Sequence, residues 1–527
     1  MLEVQTPSGK WEKFCRQIEN FLKANLVDLR IDGERVRGYR SPDSPALWIR
    51  DHSDVMRAGK YFEPDMQSTV NCFAKSQAKN GRIFDHVLTT PLSHSNEREN
   101  WEKWVRVPVE ADVEYRFVKA AQQAWQATGD HAWLREMLPS MELALNYTLS
   151  HPLRWDEKHQ LVKRPYTIDT WDFDYTAGKH EWLNFQITDE TFWGIAHCDN
   201  SGVFEAANVL ARLNGALGNS GKAMYYQRIA KGIRERANKL LFNGRFYTHF
   251  HKLTPVTVDG VDEAEQLSLS TPMAINRGLA THEMAVAILR EYQNRRKTAG
   301  AFAEWFGIDP PFPDGIFGDE KLVAGAYING GIFPLVGGEL ARAAFAHGFE
   351  NYGYQTLEQY REMIADCNAT YLWYFPDGRP SSEETSTSPE ATPTDGWGAS
   401  AMLYGFVEGL CGIEDLSHSF EKVRCSPRWM ATDEQEASVK LSYAASGAMF
   451  GYRLHHYAEN ATILLELESS RSEVELRILL PENVRVRSVL WNSNPVPHDM
   501  EQVESSQYAK ISGIVSGIAK IGVHYES

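Results

Sequence analysis

Residues 110–149 read EADVEYRFVKAAQQAWQATGDHAWLREMLPSMELALNYTL and combine two helical patterns with one tight turn. The turn is Thr128-Gly129-Asp130, and an aspartate suits the start of a helix because its carboxylate accepts hydrogen bonds from first-turn amides. Two helices joined by so short a connection run antiparallel. We therefore predict a helical hairpin in this stretch.

Similar helical patterns extend over most of the chain, to about residue 415. Besides a first helix that contains Phe14 and Ile18, they are predicted at about 110–127, 130–149, 201–217, 220–241, 281–296, 337–350, 356–366 and 397–410. Residues 31–65 are predicted to be irregular, and Gly330-Gly331 and Gly337-Gly338 are predicted as turns. Short turns alternate with long loops rich in Trp, Gly, Pro and acidic residues, and such loops are usually functional. This alternation predicts a mainly α domain, residues 1–415, built as a closed ring of helical hairpins.

The pattern changes to short alternating segments near residue 415. Ser438–Tyr443, Ala461–Leu467 and Glu473–Leu480 are rich in β-branched and apolar residues, and turn residues separate them. We predict that residues 416–527 form a small antiparallel β-sandwich whose role is to pack against the helices.

Composition narrows the function classes. The 527 residues are 43% hydrophobic and 24% charged, as in globular proteins, and the net charge of −16 argues against nucleic acid or an anionic membrane as partner. The six cysteines lie far apart without C-x-x-C spacing, which predicts reduced thiols rather than a zinc site. Without a targeting segment or a long apolar run, we expect a cytoplasmic protein, monomeric or homodimeric, with no metal and no cofactor.

Residues 166–178, YTIDTWDFDYTAG, are the first candidate for a functional site. They contain three aspartates and four aromatic residues: Asp169, Asp172, Asp174, Tyr166, Trp171, Phe173 and Tyr175. Aromatic faces can stack on sugar rings and carboxylates can bind sugar hydroxyls. Shielding by aromatic rings also raises the pKa of a carboxyl group towards that of a general acid. A solvated surface loop is the alternative interpretation.

Four motifs resemble segments of the six-hairpin glycosidases. Trp48-Ile49-Arg50-Asp51 is similar to the W-x-R-D loop of glucoamylase-like enzymes, and Thr170-Trp171-Asp172-Phe173 to the G-W-D-F segment of trehalases. Residues 325–334, GAYINGGIFP, resemble the Y-x-N-G-x-x-W-P loop of amylo-1,6-glucosidases and neutral invertases, with Phe333 in place of Trp. Residues 394–400, TDGWGAS, resemble the G-W-x-x-A helix start that follows the catalytic base in several of these families. The resemblance spans about 45–415, matches no single family throughout, and implies an (α/α)6 toroid.

The resemblance also implies roles for individual residues. Glycosidic cleavage uses a proton donor and a second carboxylate, about 6.5–9.5 Å apart when the anomeric configuration is inverted. Asp172 is the predicted acid, with Asp169 and Asp174 as alternatives. The predicted base lies before Gly396-Trp397 and is Glu384, with Glu383 and Glu390 as alternatives. The predicted substrate-binding residues are Trp48, Arg50, Asp51, Trp171, Asp174, Tyr327, Asn329 and Trp397.

Other interpretations stay open. Arg50 and Asp51 could instead form a structural ion pair, and any single Trp could belong to the core. The predicted activity is that of an inverting, exo-acting α-glycosidase on a gluco-configured oligosaccharide. An α-L-rhamnosidase-like hydrolase, a phosphorylase and a non-catalytic carbohydrate-binding protein are the alternatives.

Overall fold

The computed structural model describes residues 1–42, 44, 46–88, 104–169, 187–317, 320–382, 384–385 and 392–526. The described residues form a helical part followed by a part dominated by one large sheet. The helices are α1 (Lys10–Ala24), α2 (Ile49–Gly59), α3 (Ser68–Ser76), α4 (Val113–Thr128), α5 (His131–Ser150), α6 (His197–Ala216), α7 (Ser220–Leu241), α8 (Thr271–Asn276), α9 (His282–Thr298), α10 (Pro334–Ala346), α11 (Glu350–Cys367) and α12 (Gly396–Tyr404).

The predicted hairpin at 110–149 is confirmed as α4 and α5. Gly129 ends α4 with φ of 69°, a left-handed conformation that glycine adopts without strain. The Asp130 carboxylate accepts hydrogen bonds from the amides of Ala132 and Trp133 and so caps α5. Sequence and local geometry therefore agree at this turn.

The even-numbered helices pack on one another in a cyclic order. Helix α2 contacts α4, α4 contacts α6, α6 contacts α8, α8 contacts α10, α10 contacts α12, and α12 contacts α2. The odd-numbered helices pack on this set; for example, α5 packs on α4, α7 on α6 and α11 on α10. Residues 396–403 of α12 are all buried, whereas α7 buries one stripe, as expected for a helix with one face in solvent.

Two glycines allow α10 and α12 to approach closely. A Cβ atom on Gly338 would lie 2.2 Å from the backbone of Ala401, and one on Gly398 would lie 2.6 Å from the side chain of Pro334. The prediction that Gly337-Gly338 forms a turn was therefore wrong, because the pair lies inside α10 and serves helix packing.

Residues 31–65 are also more regular than predicted. They contain strand Glu34–Tyr39, strand Ala46–Trp48 and the whole of α2. Helix α2 buries His52, Ser53 and Asp54 alongside Val55 and Met56, so no apolar stripe marks it in the sequence. Because several buried side chains of α2 are polar, the spacing of apolar residues in the sequence does not show the helix.

Short strands line the loops of the helical part and pair in small sheets. They are β1 (Leu2–Gln5), β2 (Leu26–Ile31), β3 (Glu34–Tyr39), β4 (Ala46–Trp48), β5 (His86–Leu88), β6 (Trp104–Val105), β7 (Trp155–Asp156), β8 (Leu161–Val162), β9 (Arg164–Pro165), β10 (Trp193–Ala196), β11 (Phe250–Lys252), β12 (Leu267–Ser268) and β13 (Ile308–Asp309). All but β1 pair locally, in the groups β2-β3, β4-β5-β6, β7-β8, β9-β10-β11 and β12-β13.

The large sheet follows α12. Its strands are β14 (Ile413–Asp415), β15 (Lys422–Cys425), β16 (Glu436–Ser442), β17 (Met449–Tyr457), β18 (Thr462–Leu479), β19 (Arg485–Trp491), β20 (Asn494–Pro495), β21 (Asp499–Val503) and β22 (Ser506–Glu526). The order is β1-β16-β17-β18-β22-β19-β20, with β15 also on β18, β14 on β15 and β21 on β22. The pairs are antiparallel, as predicted, except that β15 runs parallel to β18. The boundary between residues 415 and 416 stays a prediction.

Aromatic side chains join the sheet to the helices. The Trp11 ring of α1 stacks on Phe406 at a centroid distance of 5.0 Å, and Phe406 meets Trp429 edge to face at 6.2 Å. The indole N–H of Trp429 donates to the Tyr452 hydroxyl of β17 at 2.6 Å. The two parts therefore share one continuous hydrophobic core.

Candidate active site

The N-terminal ends of several even-numbered helices are joined in pairs by side-chain contacts, and the region they form is here called the N-terminal face. Arg50 of α2 bonds Asp112 just before α4, the imidazole of His197 at the start of α6 lies 2.8 Å from the Ser268 hydroxyl before α8, and Trp397 of α12 bonds Asp54 of α2. Predicted site motifs from distant parts of the chain therefore converge on this face.

Arg50 is held by protein carboxylates. Its guanidinium lies 2.5 Å from Glu110 Oε2, and its Nε and Nη2 donate to the two oxygens of Asp112 at 2.6 and 2.8 Å. The Arg50 side chain is 11% exposed. This geometry matches the structural-pair alternative for Arg50, with Glu110 and Asp112 as partners rather than Asp51. Direct contact of Arg50 with a sugar stays a prediction.

Asp51 is half-buried in the first turn of α2. Burial raises the pKa of Asp51 to about 7; Arg50 opposes this shift, and the nearby carboxylates of Asp395 and Asp54 reinforce it. Asp395 accepts a hydrogen bond from the Trp397 amide at 3.0 Å and one from the Ser41 hydroxyl at 2.9 Å, so it is fixed as the cap of α12. A carboxyl group that keeps its proton near neutral pH, beside a second carboxylate, is suited to proton transfer.

The two predicted tryptophans of the described site differ in access. Trp48 is half-buried, its ring lies 3.9 Å from that of His86 between centroids, and its indole N–H donates to Ser44 Oγ at 3.3 Å. Trp397 is 7% exposed and donates its indole N–H to Asp54 Oδ2 at 2.8 Å. Trp48 is therefore the more exposed of the two rings, whereas Trp397 is bonded in the interior.

Tyr327 and Asn329 also have different surroundings. The Asn329 side chain is fully buried, accepts from the Phe312 amide at 2.7 Å, and donates to the carbonyls of Phe312 and Leu322. Its amide therefore holds the loop that precedes α10. Tyr327 is half-buried with φ of 47°, and its ring centroid lies 6.1 Å from that of Trp373. Tyr327 is the more accessible of the two.

A buried polar cluster anchors the chain just before residue 170. Asp169 accepts bonds from the hydroxyl and the amide of Ser270 at 2.6 and 3.0 Å, and its own amide donates to His249 Nε2 at 3.1 Å. Burial lowers the pKa of His249 and of His197 to about 4, so both imidazoles are neutral at pH 7. Both carboxylate oxygens of Asp169 are therefore bound inside the domain.

A second buried pair reinforces this face. Arg164 Nη1 lies 3.3 Å from Asp199 Oδ1, and both side chains are fully buried. Burial raises the pKa of Asp199 to about 6, against the attraction of Arg164. Arg164 and His249 were not singled out from the sequence, because each is a single polar residue whose partners lie far along the chain.

The predicted base and acid are only partly described. Glu384 is exposed, and a hydrogen bond of 2.8 Å from the Ser382 hydroxyl lowers the pKa of its carboxyl group. Glu384 is therefore ionised at neutral pH, as a general base must be. Trp171, Asp172, Asp174, Glu383 and Glu390 lie outside the described residues.

The described ranges contain no group of three or more His, Cys, Asp or Glu side chains that could hold a metal ion. In the same ranges, every helix is too short or too polar to span a bilayer.

Comparison with known proteins reveals likeness in structure. No protein-family model matches the chain, and no curated protein matches its sequence. An α-L-rhamnosidase from Dictyoglumus thermophilum superposes with a TM-score of 0.62 at 14% identity, covering 99% of this chain and 50% of that one. A GH78 family rhamnosidase of Bacillus sp. GL1 has a TM-score of 0.60 at 15% identity, covering 91% of this chain and 43% of that one.

A smaller protein matches along its whole length. The mannosylglycerate hydrolase of Thermus thermophilus has a TM-score of 0.53 at 12% identity, covering 75% of this chain and 99% of that one. The chain spans about half the length of the first α-L-rhamnosidase. At these identities the likeness shows a shared fold and nothing further.

Proposed function

We propose that this protein is a glycoside hydrolase whose helices form an (α/α)6 toroid, with the active site at the N-terminal face. The cyclic contacts of α2, α4, α6, α8, α10 and α12 support the toroid. The fold likeness to α-L-rhamnosidases over 99% of the chain supports the reaction class. The observation that carries the proposal is Asp51, a half-buried carboxyl group with a pKa of about 7 beside Asp395.

The chemistry requires a proton for the leaving oxygen and an activated water. Asp51 keeps enough of its proton at neutral pH to serve as the donor, and the half-buried Trp48 lies three residues earlier in the sequence. Glu384, exposed and ionised, is the proposed base. Asp172 is the rival donor on the strength of its motif. An inverting outcome follows from the resemblance to six-hairpin glycosidases.

Two substrate classes have specific support. The motifs at 48–51, 170–173, 325–334 and 394–400 favour a gluco-configured α-glycoside whose terminal sugar is cleaved from the oligosaccharide. The structural matches favour an α-L-rhamnoside, because an α-L-rhamnosidase and a second rhamnosidase superpose over at least 91% of this chain. In both proposals Asp51 and Glu384 carry out the reaction, and the two proposals differ only in the sugar ring that binds at the N-terminal face.

The test is a panel of nitrophenyl glycosides. We expect the purified protein to hydrolyse 4-nitrophenyl α-D-glucoside or 4-nitrophenyl α-L-rhamnoside, and proton NMR to detect the inverted anomer first. Release of the retained anomer would refute inversion alone. Binding of the free sugars without turnover of any glycoside would refute the hydrolase proposal and favour a carbohydrate-binding protein.

A further inference from the structure

A small cavity lies between the even-numbered helices. Residues of all six helices α2, α4, α6, α8, α10 and α12 line it. Its accessible volume is about 30 Å³, and a single water needs about 10–15 Å³ by the same kind of measure. The cavity is thus large enough for one group bigger than water. We call it the axial cavity.

Three hydrogen-bond donors in the lining of the axial cavity lack acceptors. Arg57 Nη2, Arg116 Nη2 and Tyr115 Oη are buried, and no described residue accepts a hydrogen bond from them. Arg116 and Tyr115 are each 3% exposed. A buried donor without an acceptor costs about 1–3 kcal/mol, and more when it is charged. Three such donors at one cavity indicate a missing acceptor.

The carboxylates that line the cavity are already engaged. Asp54 accepts from Arg116 Nη1 at 2.5 Å and from the Trp397 indole at 2.8 Å. Glu339 accepts from Arg57 Nη1 with one oxygen and from Asn276 Nδ2 with the other. The lining therefore has donors in excess of acceptors.

The cationic side chains that line the cavity already have carboxylate partners. Arg57 pairs with Glu339, Arg116 with Asp54, and Lys119 and Arg277 share Glu205. Two of the three donors that lack acceptors nevertheless belong to guanidinium groups. A water molecule would accept hydrogen bonds but would bring two donors of its own, whereas an anion brings only acceptor capacity.

We propose that the axial cavity binds a small monovalent anion of the halide class, such as chloride, held by Arg57 Nη2, Arg116 Nη2 and Tyr115 Oη. The bound anion completes the hydrogen bonds of Arg116, which in turn bonds Asp54, the partner of Trp397. This site is separate from the carboxyl groups of the proposed reaction and does not depend on that proposal.

The direct test uses bromide as the probe. Crystals of the whole protein grown in sodium bromide should show an anomalous difference peak between Arg57, Arg116 and Tyr115. A cavity that holds only water, or nothing, in saturating bromide would overturn the proposal.

The solution test uses Tyr115→Phe, which removes one proposed ligand and leaves the ring in place. The Tm of the wild type should rise when chloride replaces gluconate at constant ionic strength, because a ligand that binds the native state stabilises it. Tyr115→Phe should need about tenfold more chloride for the same rise, since a hydrogen bond to an ion is worth a factor of that order.

The matched control is Tyr292→Phe. Tyr292 is fully buried but does not line the axial cavity, so this variant should keep the chloride response of the wild type. Equal chloride responses in wild type and Tyr115→Phe would overturn the proposal. If Tyr115→Phe fails to fold, the bromide crystals of the wild type decide.

Discussion

Replacing Asp51 by asparagine should stabilise the protein at alkaline pH. Burial raises the pKa of Asp51 from its ordinary 3.8 to about 7, so the native state holds this proton more tightly than the unfolded chain does. The free energy of unfolding therefore falls as pH rises from about 4 to about 7, because the carboxyl group ionises more readily in the unfolded chain than in the native state. Asparagine does not ionise, so Asp51→Asn should not show this loss of stability.

The magnitude follows from the shift in pKa. A shift of about 3 units corresponds to about 4 kcal/mol at 1.36 kcal/mol per unit, which is an upper value for the stabilisation of Asp51→Asn above pH 7. Below about pH 4 the carboxyl group is protonated in both states, and the two proteins should be equally stable. Between these limits the difference in the free energy of unfolding should grow steadily with pH.

The assay is guanidinium chloride unfolding of wild type and Asp51→Asn at pH 4, 5.5, 7 and 8, followed by tryptophan fluorescence. Glu384→Gln is the control, because the Glu384 carboxyl group is exposed with a lowered pKa and its loss should not stabilise the protein at pH 8. A difference between wild type and Asp51→Asn that does not depend on pH would refute the reasoning.

Three further predictions follow from the same geometry. Asn329→Ala removes three buried hydrogen bonds and should lower the free energy of unfolding by about 2–4 kcal/mol, measured by chemical denaturation; a loss below about 1 kcal/mol would contradict this role. The pKa values of His197 and His249 are near 4 in the folded protein, against an ordinary 6.5. The folded state therefore binds fewer protons than the unfolded chain between these pH values. As pH falls from 6.5 to 4, each histidine should lower the free energy of unfolding by up to about 3 kcal/mol. His249→Gln should flatten this pH dependence, and an unchanged slope would count against it. Trp48→Ala should raise KM about tenfold with little change in kcat, because a lost stacking contact of about 1.4 kcal/mol corresponds to a factor of ten. Trp397→Phe should mainly lower Tm, because it removes the hydrogen bond to Asp54. A lower Tm for Trp48→Ala and a higher KM for Trp397→Phe would contradict these roles.

The helices that the sequence predicts well are those with an ordinary solvent-facing side. Helix α7 has the bounds predicted for it, Ser220–Leu241, because its apolar residues recur on one face. Helix α2 was missed, since its buried His52, Ser53 and Asp54 break the apolar period. The start of α10 was placed three residues late, because Gly337 and Gly338 look like a turn until the close contact with Ala401 is known.

The candidate site divides in a similar way. The motif at residues 48–51 predicts Trp48 and Asp51 as site residues, and both are half-buried; their role in binding a substrate stays a prediction. The motif did not reveal that Arg50 is paired with Glu110 and Asp112, since that pairing depends on how α2 packs against α4. Asp395 belongs to the motif at 394–400, which indicates a helix start, but its proximity to Asp51 could not be predicted because the two residues are near only in the fold.

The most direct test of the account compares Asp51→Asn with wild type on two glycosides of the sugar that the wild type cleaves, one with a poor leaving group and one with a dinitrophenyl leaving group. If Asp51 donates the proton, kcat should fall by about 10²–10⁴ on the poor leaving group and far less on the dinitrophenyl glycoside, which departs without protonation. Wild-type kcat for Asp51→Asn on both substrates would contradict the central claim, and the same leaving-group signature in Asp172→Asn instead would transfer the role to Asp172.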